Sequence, residues 1–245
     1  MYTNNSLWIF KIIINKLLNY INYVKKKYKY TNTNINLDDF KSIYFNKTYS
    51  RLDDILKNKT LKNIYNKEYI FINWIKYKNI KKILNKKRIV KIIEKSIFNI
   101  NDISIIHGDL CFSNILFDIN SWIFKLIDPR WKFWKIWIYW DLKYDIAKLR
   151  HSINWNYESI IYDLYNLEYD NKNSFNFSFF NWNNYEIIEY FDKKILKLWY
   201  DIEVIKFIEG LLFISMIPLH LDSLDRQILM YIISVKLFNE TKLLW

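Results

Sequence analysis

The stretch from Ile105 to Arg130 constrains this chain more than any other. It reads His-Gly-Asp-Leu-Cys-Phe-Ser-Asn-Ile-Leu over 107–116, then an apolar run that closes on Ile-Asp-Pro-Arg at 127–130. The apolar residues before His107 predict a strand that delivers His107 and Asp109 to a turn, with Asn114 five positions beyond Asp109. Ile115–Phe117 against Ile123–Ile127 predicts a hairpin whose second strand ends at Asp128. The chain must therefore gather two carboxylates and an amide at the ends of a few short strands.

His-x-Asp-Leu-x-x-x-Asn is the spacing of a kinase catalytic loop. Phosphoryl transfer needs little covalent help from a protein, but it needs in-line positioning and cations on the phosphate oxygens. Asp109 is the candidate catalytic residue, orienting or deprotonating the attacking hydroxyl. Asn114 and Asp128 are the candidate cofactor and metal residues, holding magnesium against the phosphates of ATP. With these residues in place, the segment resembles the C-terminal lobe of aminoglycoside phosphotransferase and choline-kinase-like enzymes, which share the protein-kinase-like fold. Gly108 stands where protein kinases carry Arg, and Asp-Pro-Arg replaces Asp-Phe-Gly. Both departures point toward small-molecule kinases.

Residues 138–152 (Ile-Tyr-Trp-Asp-Leu-Lys-Tyr-Asp-Ile-Ala-Lys-Leu-Arg-His-Ser) extend the resemblance to bacterial phosphotransferases of capsule and surface-polysaccharide synthesis. So do residues 211–220, with Asp225-Arg226-Gln227 close behind. The resemblance implies a magnesium- and ATP-dependent transferase acting on a hydroxyl of a sugar-like or polysaccharide-precursor acceptor. It also implies that His107 and Asp145 brace the loop, and that Arg130 either reaches phosphate or acceptor or forms a structural salt bridge. His151 and His220 are expected to pack rather than react. Kinases of this fold grip the nucleotide with a Lys beneath a glycine-rich loop in an N-terminal lobe. No glycine precedes Gly108, and the first hundred residues are mainly helical in pattern, so the expectation is a C-lobe alone, with the N-lobe absent or on a separate chain. The alternative is a non-catalytic interaction subunit or decayed fragment that keeps the fold without turnover.

Other function classes fall away. The single cysteine, Cys111, excludes an internal disulfide and suits a small buried residue in a reducing compartment. Neither zinc-ligand spacing nor a hydrolase nucleophile elbow occurs. The net charge of +12 invites a nucleic-acid reading. However, lysines are spread through several segments, and Lys, Asn, Ile, Tyr and Phe dominate while Ala147 is the only alanine, as a bias toward AT-rich codons would produce. The apolar run Leu7–Val24 is interrupted by Lys11, Asn15 and Lys16, so no membrane span is predicted. Without a charged leader or small-residue cleavage site, the expected location is cytoplasmic.

Periodicity predicts an α+β, mostly helical chain: the C-terminal lobe of a protein-kinase-like fold with a few short strands carrying the catalytic loop. It is expected to form one domain over 1–245, with a helical subdomain at 1–102, a catalytic core at 103–152 and a C-terminal helical subdomain at 153–245. Helices are predicted over 7–29 and, after a polar connector at Thr31–Asn36 with Asn36 as N-cap, over Leu37–Lys57. Tyr69–Tyr77 should form a hairpin turning at Asn73-Trp74, followed by a helical stretch at Asn79–Phe98. Beyond the loop, helices are predicted at Asp141–Ser152, Glu158–Leu167, Tyr185–Trp199, Ile202–Ile217 and Leu224–Phe238, with an edge strand at Phe175–Phe180.

Eleven tryptophans against two glycines invert ordinary usage. Trp131, Trp134, Trp137 and Trp140 recur every third position, and a three-residue step of about 300° lets such a stripe drift around a helix. In the resembling family glycines stand at these four places. Asn73-Trp74 and Ser121-Trp122 sit where Asn-Gly or Ser-Gly hairpin turns would be natural, and Trp155 and Trp182 lie in Asn-rich connectors. The expectation is that many of these are glycines, written as tryptophan because the UGA codon means glycine in some genetic codes and tryptophan in others.

Overall fold

The computed structural model describes residues 7–31, 34–170, 173–180 and 185–245; part of the 31–36 connector and Trp182 lie outside them. The chain is α+β and mostly helical. Its first half holds α1 (Leu7–Lys27), α2 (Leu37–Lys41), α3 (Lys47–Ile55), α4 (Lys59–Asn66), β1 (Tyr69–Ile72), β2 (Ile75–Lys78), α5 (Ile80–Ile83) and α6 (Lys86–Ile92). The centre holds β3 (Ile103–Ile105), β4 (Ile115–Asp118), β5 (Ile123–Leu126), β6 (Tyr139–Asp141), α7 (Leu142–Trp155) and α8 (Tyr157–Ile161). The remainder holds β7 (Tyr165–Tyr169), β8 (Ser174–Phe179), α9 (Tyr185–Lys197), α10 (Ile202–Met216) and α11 (Leu224–Glu240). Among the described residues, no helix is long and apolar enough to cross a membrane.

These elements form two compact units, each drawn from three separate stretches. The first takes its described residues from Met1–Ile35, Asn99–Glu158 and Asn183–Ile205. In α1, Phe10, Ile13, Ile14, Leu17, Leu18, Ile21 and Val24 recur at three- and four-residue steps and are buried, while Lys25–Lys27 complement the dipole of its last turn. Ser104 of β3 donates to the carbonyls of Val24 (2.8 Å) and Tyr28 (3.0 Å), so this buried hydroxyl satisfies the end of α1. Strand β3 pairs antiparallel with β6, and β4 with β5. Asp141 caps α7 by accepting from the Lys143 amide at 3.0 Å. A buried ionic cluster sits beside it: Asp102 receives Lys25 at 2.7 Å and Lys143 at 2.8 Å. Burial works to raise the Asp102 carboxyl, but the two ammonium groups outweigh it and hold the group below its usual range.

The second unit comprises Asn36–Phe98, the described residues of Ser159–Trp182, and Lys206–Trp245. Asn36 caps its first helix as expected, accepting from the amides of Asp38 and Asp39 while the Asp39 carboxylate receives the Asn36 amide. A π-turn at Ser42–Asn46 joins α2 to α3, so the expected long helix is present with one widened turn. The four-stranded sheet runs β2-β1-β8-β7, with β1 and β8 parallel and the other pairs antiparallel. Asn79 is buried after β2. Its amide donates to the carbonyls of Ile64 (2.7 Å) and Lys67 (2.9 Å), and its oxygen receives the Tyr231 hydroxyl of α11 (2.6 Å).

Two expectations are corrected here. Glu158–Leu167 is not one helix: α8 stops at Ile161 and Tyr165–Tyr169 is a strand. Asp163, at φ 55°, breaks the helical path, with Leu164 N–H bonding Ser159 O at 2.8 Å across the turn. Pairing of β7 along β8 then satisfies backbone groups that a helix would have served, and tertiary pairing overrides local periodicity. The strand β8 is not an edge either, because β1 flanks its other side. Helix α4 and the sheet that joins two distant hairpins are features the periodicity did not indicate.

Candidate functional site

The catalytic-loop sequence lies wholly in the first unit, between β3 and β4. Its first turn is pinned by Asp145 on the first turns of α7, whose carboxylate accepts the backbone N–H of His107 at 2.6 Å and of Gly108 at 2.9 Å. Burial pushes the Asp145 carboxyl up to about 7, against the pull of those two donors. The buried His107 ring places Nε2 at 2.9 Å from the carbonyl of Ile127, tying the loop to the end of β5. Burial lowers the His107 pKa, so the imidazole is a neutral strut. The expected bracing roles of His107 and Asp145 correspond to these bonds.

Gly108 sits at φ +78°, and a Cβ there would lie 3.0 Å from Cβ of Arg130 and 3.0 Å from a ring carbon of Phe133. An Arg at this position would be strained in its backbone and would collide with the returning chain. The Arg130 N–H donates to the His107 carbonyl at 2.9 Å, which is why the two segments approach so closely. The Arg130 side chain is exposed and has no ion-pair partner among the described residues; its guanidinium lies 6.0 Å from the Phe133 ring.

Asp109 is partly exposed at the mouth of the loop. Lys148 of α7 lies 2.7 Å from its Oδ1. Burial acts to raise the Asp109 carboxyl, but Lys148, with lesser help from Arg130 and His151, holds it below the usual carboxylate range. Asn114 donates its side-chain N–H to the Asp109 carbonyl at 2.9 Å and more weakly to Asp109 Oδ2 at 3.4 Å. That orientation leaves the Asn114 amide oxygen without a hydrogen-bond partner among the described residues. Asn114 and Asp128 are fourteen residues apart, yet Ile127 N–H bonds to Asn114 O at 3.0 Å, so the hairpin sets Asp128 one residue beyond the partner of Asn114. Asp128 is exposed, adopts φ 53° and has no hydrogen-bond or ion-pair partner among the described residues. The three predicted residues thus gather at one end of the β4–β5 hairpin.

Further groups secure the loop. The Ser113 N–H donates to Glu158 Oε1 at 3.0 Å, and the Phe112 N–H to Ser152 Oγ at 3.2 Å. Cys111 is buried, with Sγ 3.1 Å from the Ser113 hydroxyl, and burial pushes its thiol pKa up, as suits an unreactive packing residue. His151 is buried, with its ring 4.3 Å from that of Tyr157. Lys148, Ser152 and Glu158 were not singled out from the sequence. The spacing Asp145, Lys148, Ser152 puts all three on one helix face, and that signal was available. Glu158 had no comparable cue.

A groove of about 720 Å³ borders the same hairpin, lined by Ile13, Leu116, Phe117, Ile123 and Lys125 among others. Among the described residues, no cluster of three or more His, Cys, Asp or Glu side chains forms a metal site by itself. The pair available, an amide oxygen on Asn114 and a carboxylate on Asp128, offers hard oxygen donors of the kind magnesium accepts, with water and phosphate completing its shell. No family model, no curated protein and no solved structure matches the chain.

Proposed function

We propose that this chain is the acceptor- and metal-binding lobe of a phosphotransferase of the aminoglycoside phosphotransferase and choline kinase-like type. It transfers phosphate from ATP to a hydroxyl of a small, sugar-like or polysaccharide-precursor molecule. The observation that carries the reading is the convergence of Asp109, Asn114 and Asp128 at one end of a single hairpin, with the Asn114 oxygen and the Asp128 carboxylate unengaged by any described residue.

In this reading Asp109 accepts a hydrogen bond from the acceptor hydroxyl and aims it in line with the phosphoryl group. A carboxyl held below its usual range stays charged at neutral pH and works by orientation, not as a strong base. Asn114 and Asp128 would hold magnesium, which would supply positive charge to the phosphate oxygens. Asp145 and His107 keep the loop from relaxing, so the site needs little reorganisation on binding. The groove along β4 and β5 offers apolar surface beside the metal pair. Gripping the α- and β-phosphates would fall to a separate N-lobe chain as partner.

The test measures magnesium–ATP binding by calorimetry and phosphate transfer to a panel of sugars and polyols, with the chain alone and with co-expressed neighbouring gene products. Magnesium-dependent binding that Asp128→Ala abolishes supports the reading. ATP binding absent in every combination sinks it in favour of a non-catalytic interaction subunit.

A further inference from the structure

Lys148 is the least expected charge in the first unit. Its side chain is only 5% exposed, and a buried ammonium is costly unless it is paired. Asp109 is a partner, and its side of the pairing is uneven. Oδ1 is fully buried and lies at ion-pair distance, 2.7 Å, from the Lys148 ammonium without hydrogen-bond geometry to any described residue, while the side chain as a whole keeps 31% exposure. Oδ2 is the oxygen left to face outward, with only the long Asn114 contact at 3.4 Å. We propose that Lys148 is the positioning residue of this site: its ammonium pins one oxygen of Asp109 and fixes the carboxylate's rotation, so that the other oxygen meets the acceptor hydroxyl. The word acceptor rests on the phosphotransfer reading; the pinning does not.

The groups facing this pair are Tyr144, Asp145 and His151 from α7, Tyr157 beyond it, Arg130 after the hairpin and Cys111 within the loop. Lys148 is the nearest cation among them. The three-bond couplings about the Asp109 Cα–Cβ bond, measured by NMR on the full chain, read the pinning directly. They should report a single side-chain rotamer in the wild-type chain, averaging in Lys148→Met, and a single rotamer again in Lys148→Arg. A folded Lys148→Met chain that keeps the single rotamer overturns the proposal, and averaging already present in the wild-type chain overturns it equally. Loss of the phosphotransfer reading looks different, because magnesium–ATP binding would be absent while the dependence of the rotamer on Lys148 persisted.

A separate observation concerns the backbone. Nine described residues have positive φ: Gly108; Asn73, Asp128, Asn156 and Asp163; and Trp74, Trp122, Trp137 and Trp199. Asn and Asp are the side chains that tolerate this region, whereas a bulky residue there is an outlier. Tryptophan has no local hydrogen bond to offer in compensation. Each of the four sits where a glycine solves a specific problem. Asn73-Trp74, at φ 46° and 69°, is the two-residue turn between β1 and β2 that calls for Asn-Gly. Trp122, at φ 57°, enters β5 from its turn, and Trp137, at φ 47°, closes a bridge to Trp134. Trp199, at φ 65°, follows α9. Its N–H bonds Leu196 O at 3.0 Å and the Tyr200 N–H bonds Ile195 O at 3.3 Å, the paired bonds of a helix end whose left-handed residue is usually glycine. Trp74 and Trp199 are also 82% and 94% exposed, so nothing holds their indoles in place.

We infer that Trp74, Trp122, Trp137 and Trp199 occupy glycine positions whose codons are UGA, decoded as glycine where this protein is made. Trp131, Trp134, Trp140 and Trp155 lack the positive φ, so the geometry selects four of the ten described tryptophans and adds Trp199, which the sequence pattern did not single out. Sequencing the coding DNA should show TGA at all four positions, and peptide mass spectrometry of the natively expressed protein should show glycine there. TGG at any of the four, or a tryptophan-containing native peptide across one, overturns the inference.

Discussion

The loop at 107–114 and the connection at 129–140 flank the same hairpin, and they solve the same problem in opposite ways. In the loop, every sharp turn is supported. Gly108 takes the positive φ, Asp145 takes the N–H groups of His107 and Gly108, and Ser152 and Glu158 take those of Phe112 and Ser113. In the connection, the chain turns at Trp137 without a residue suited to the turn, and Trp131 and Trp137 stand largely in solvent. The difference separates a segment whose side chains and backbone agree from one in which they conflict, and local agreement of that kind is what makes a fold specific.

The largest effect that sharpens this contrast lies at the loop's chemical centre. On the phosphotransfer reading, Asp109→Asn should lower phosphate transfer by about a thousandfold, since general acid–base and orienting groups contribute roughly 10²–10⁴. It should also lower the urea midpoint, because the buried Lys148 ammonium loses this carboxylate. Next is the pin. Asp145→Ala leaves two backbone donors and a buried space unfilled, so a loss of about 3 kcal/mol in urea unfolding is expected. A loss below experimental error would break the claim that the loop is pinned from α7. Gly108→Ala should cost about 2 kcal/mol from its backbone conformation and the contacts with Arg130 and Phe133. The connection should respond with the opposite sign: Trp137→Gly should stabilise the chain by about 1 kcal/mol, seen as a higher urea midpoint. Destabilisation by that substitution would dissolve the contrast.

The buried carboxyl of Asp145 adds an effect of pH. Asp145 has a folded pKa of about 7, above the unfolded value of about 3.9, so the fold favours its protonated form. Its contribution is full below about pH 4 and is lost as pH rises through about 7. The urea midpoint should therefore decline between about pH 4 and about pH 7, and Asp145→Asn should flatten that decline. A slope that survives the substitution belongs to another group.

Much of this was legible before any coordinates. The Asn36 cap, the β1–β2 and β4–β5 hairpins and most helices follow from capping residues, alternation and three-to-four-residue spacing. Asp109, Asn114 and Asp128 were found by motif spacing, and the hairpin register then brought the last two together. The strand at Tyr165–Tyr169 was not legible, because its pairing with β8 is a tertiary fact and its local pattern suits a helix equally well. Lys148 was passed over because a lysine in a lysine-rich chain carries no signal until it is buried against a carboxylate.

What the sequence determined by itself is the identity and order of the chemical groups: a carboxylate, an amide and a second carboxylate around a glycine turn. Periodicity and side-chain chemistry act over a few residues, so they reach that far. The tertiary structure decided which oxygen of Asp109 is pinned, why Gly108 excludes an arginine, and which tryptophans stand in glycine's conformational territory. Those depend on contacts between segments far apart in the chain and on the sign of φ, neither of which a residue's neighbours in sequence can specify.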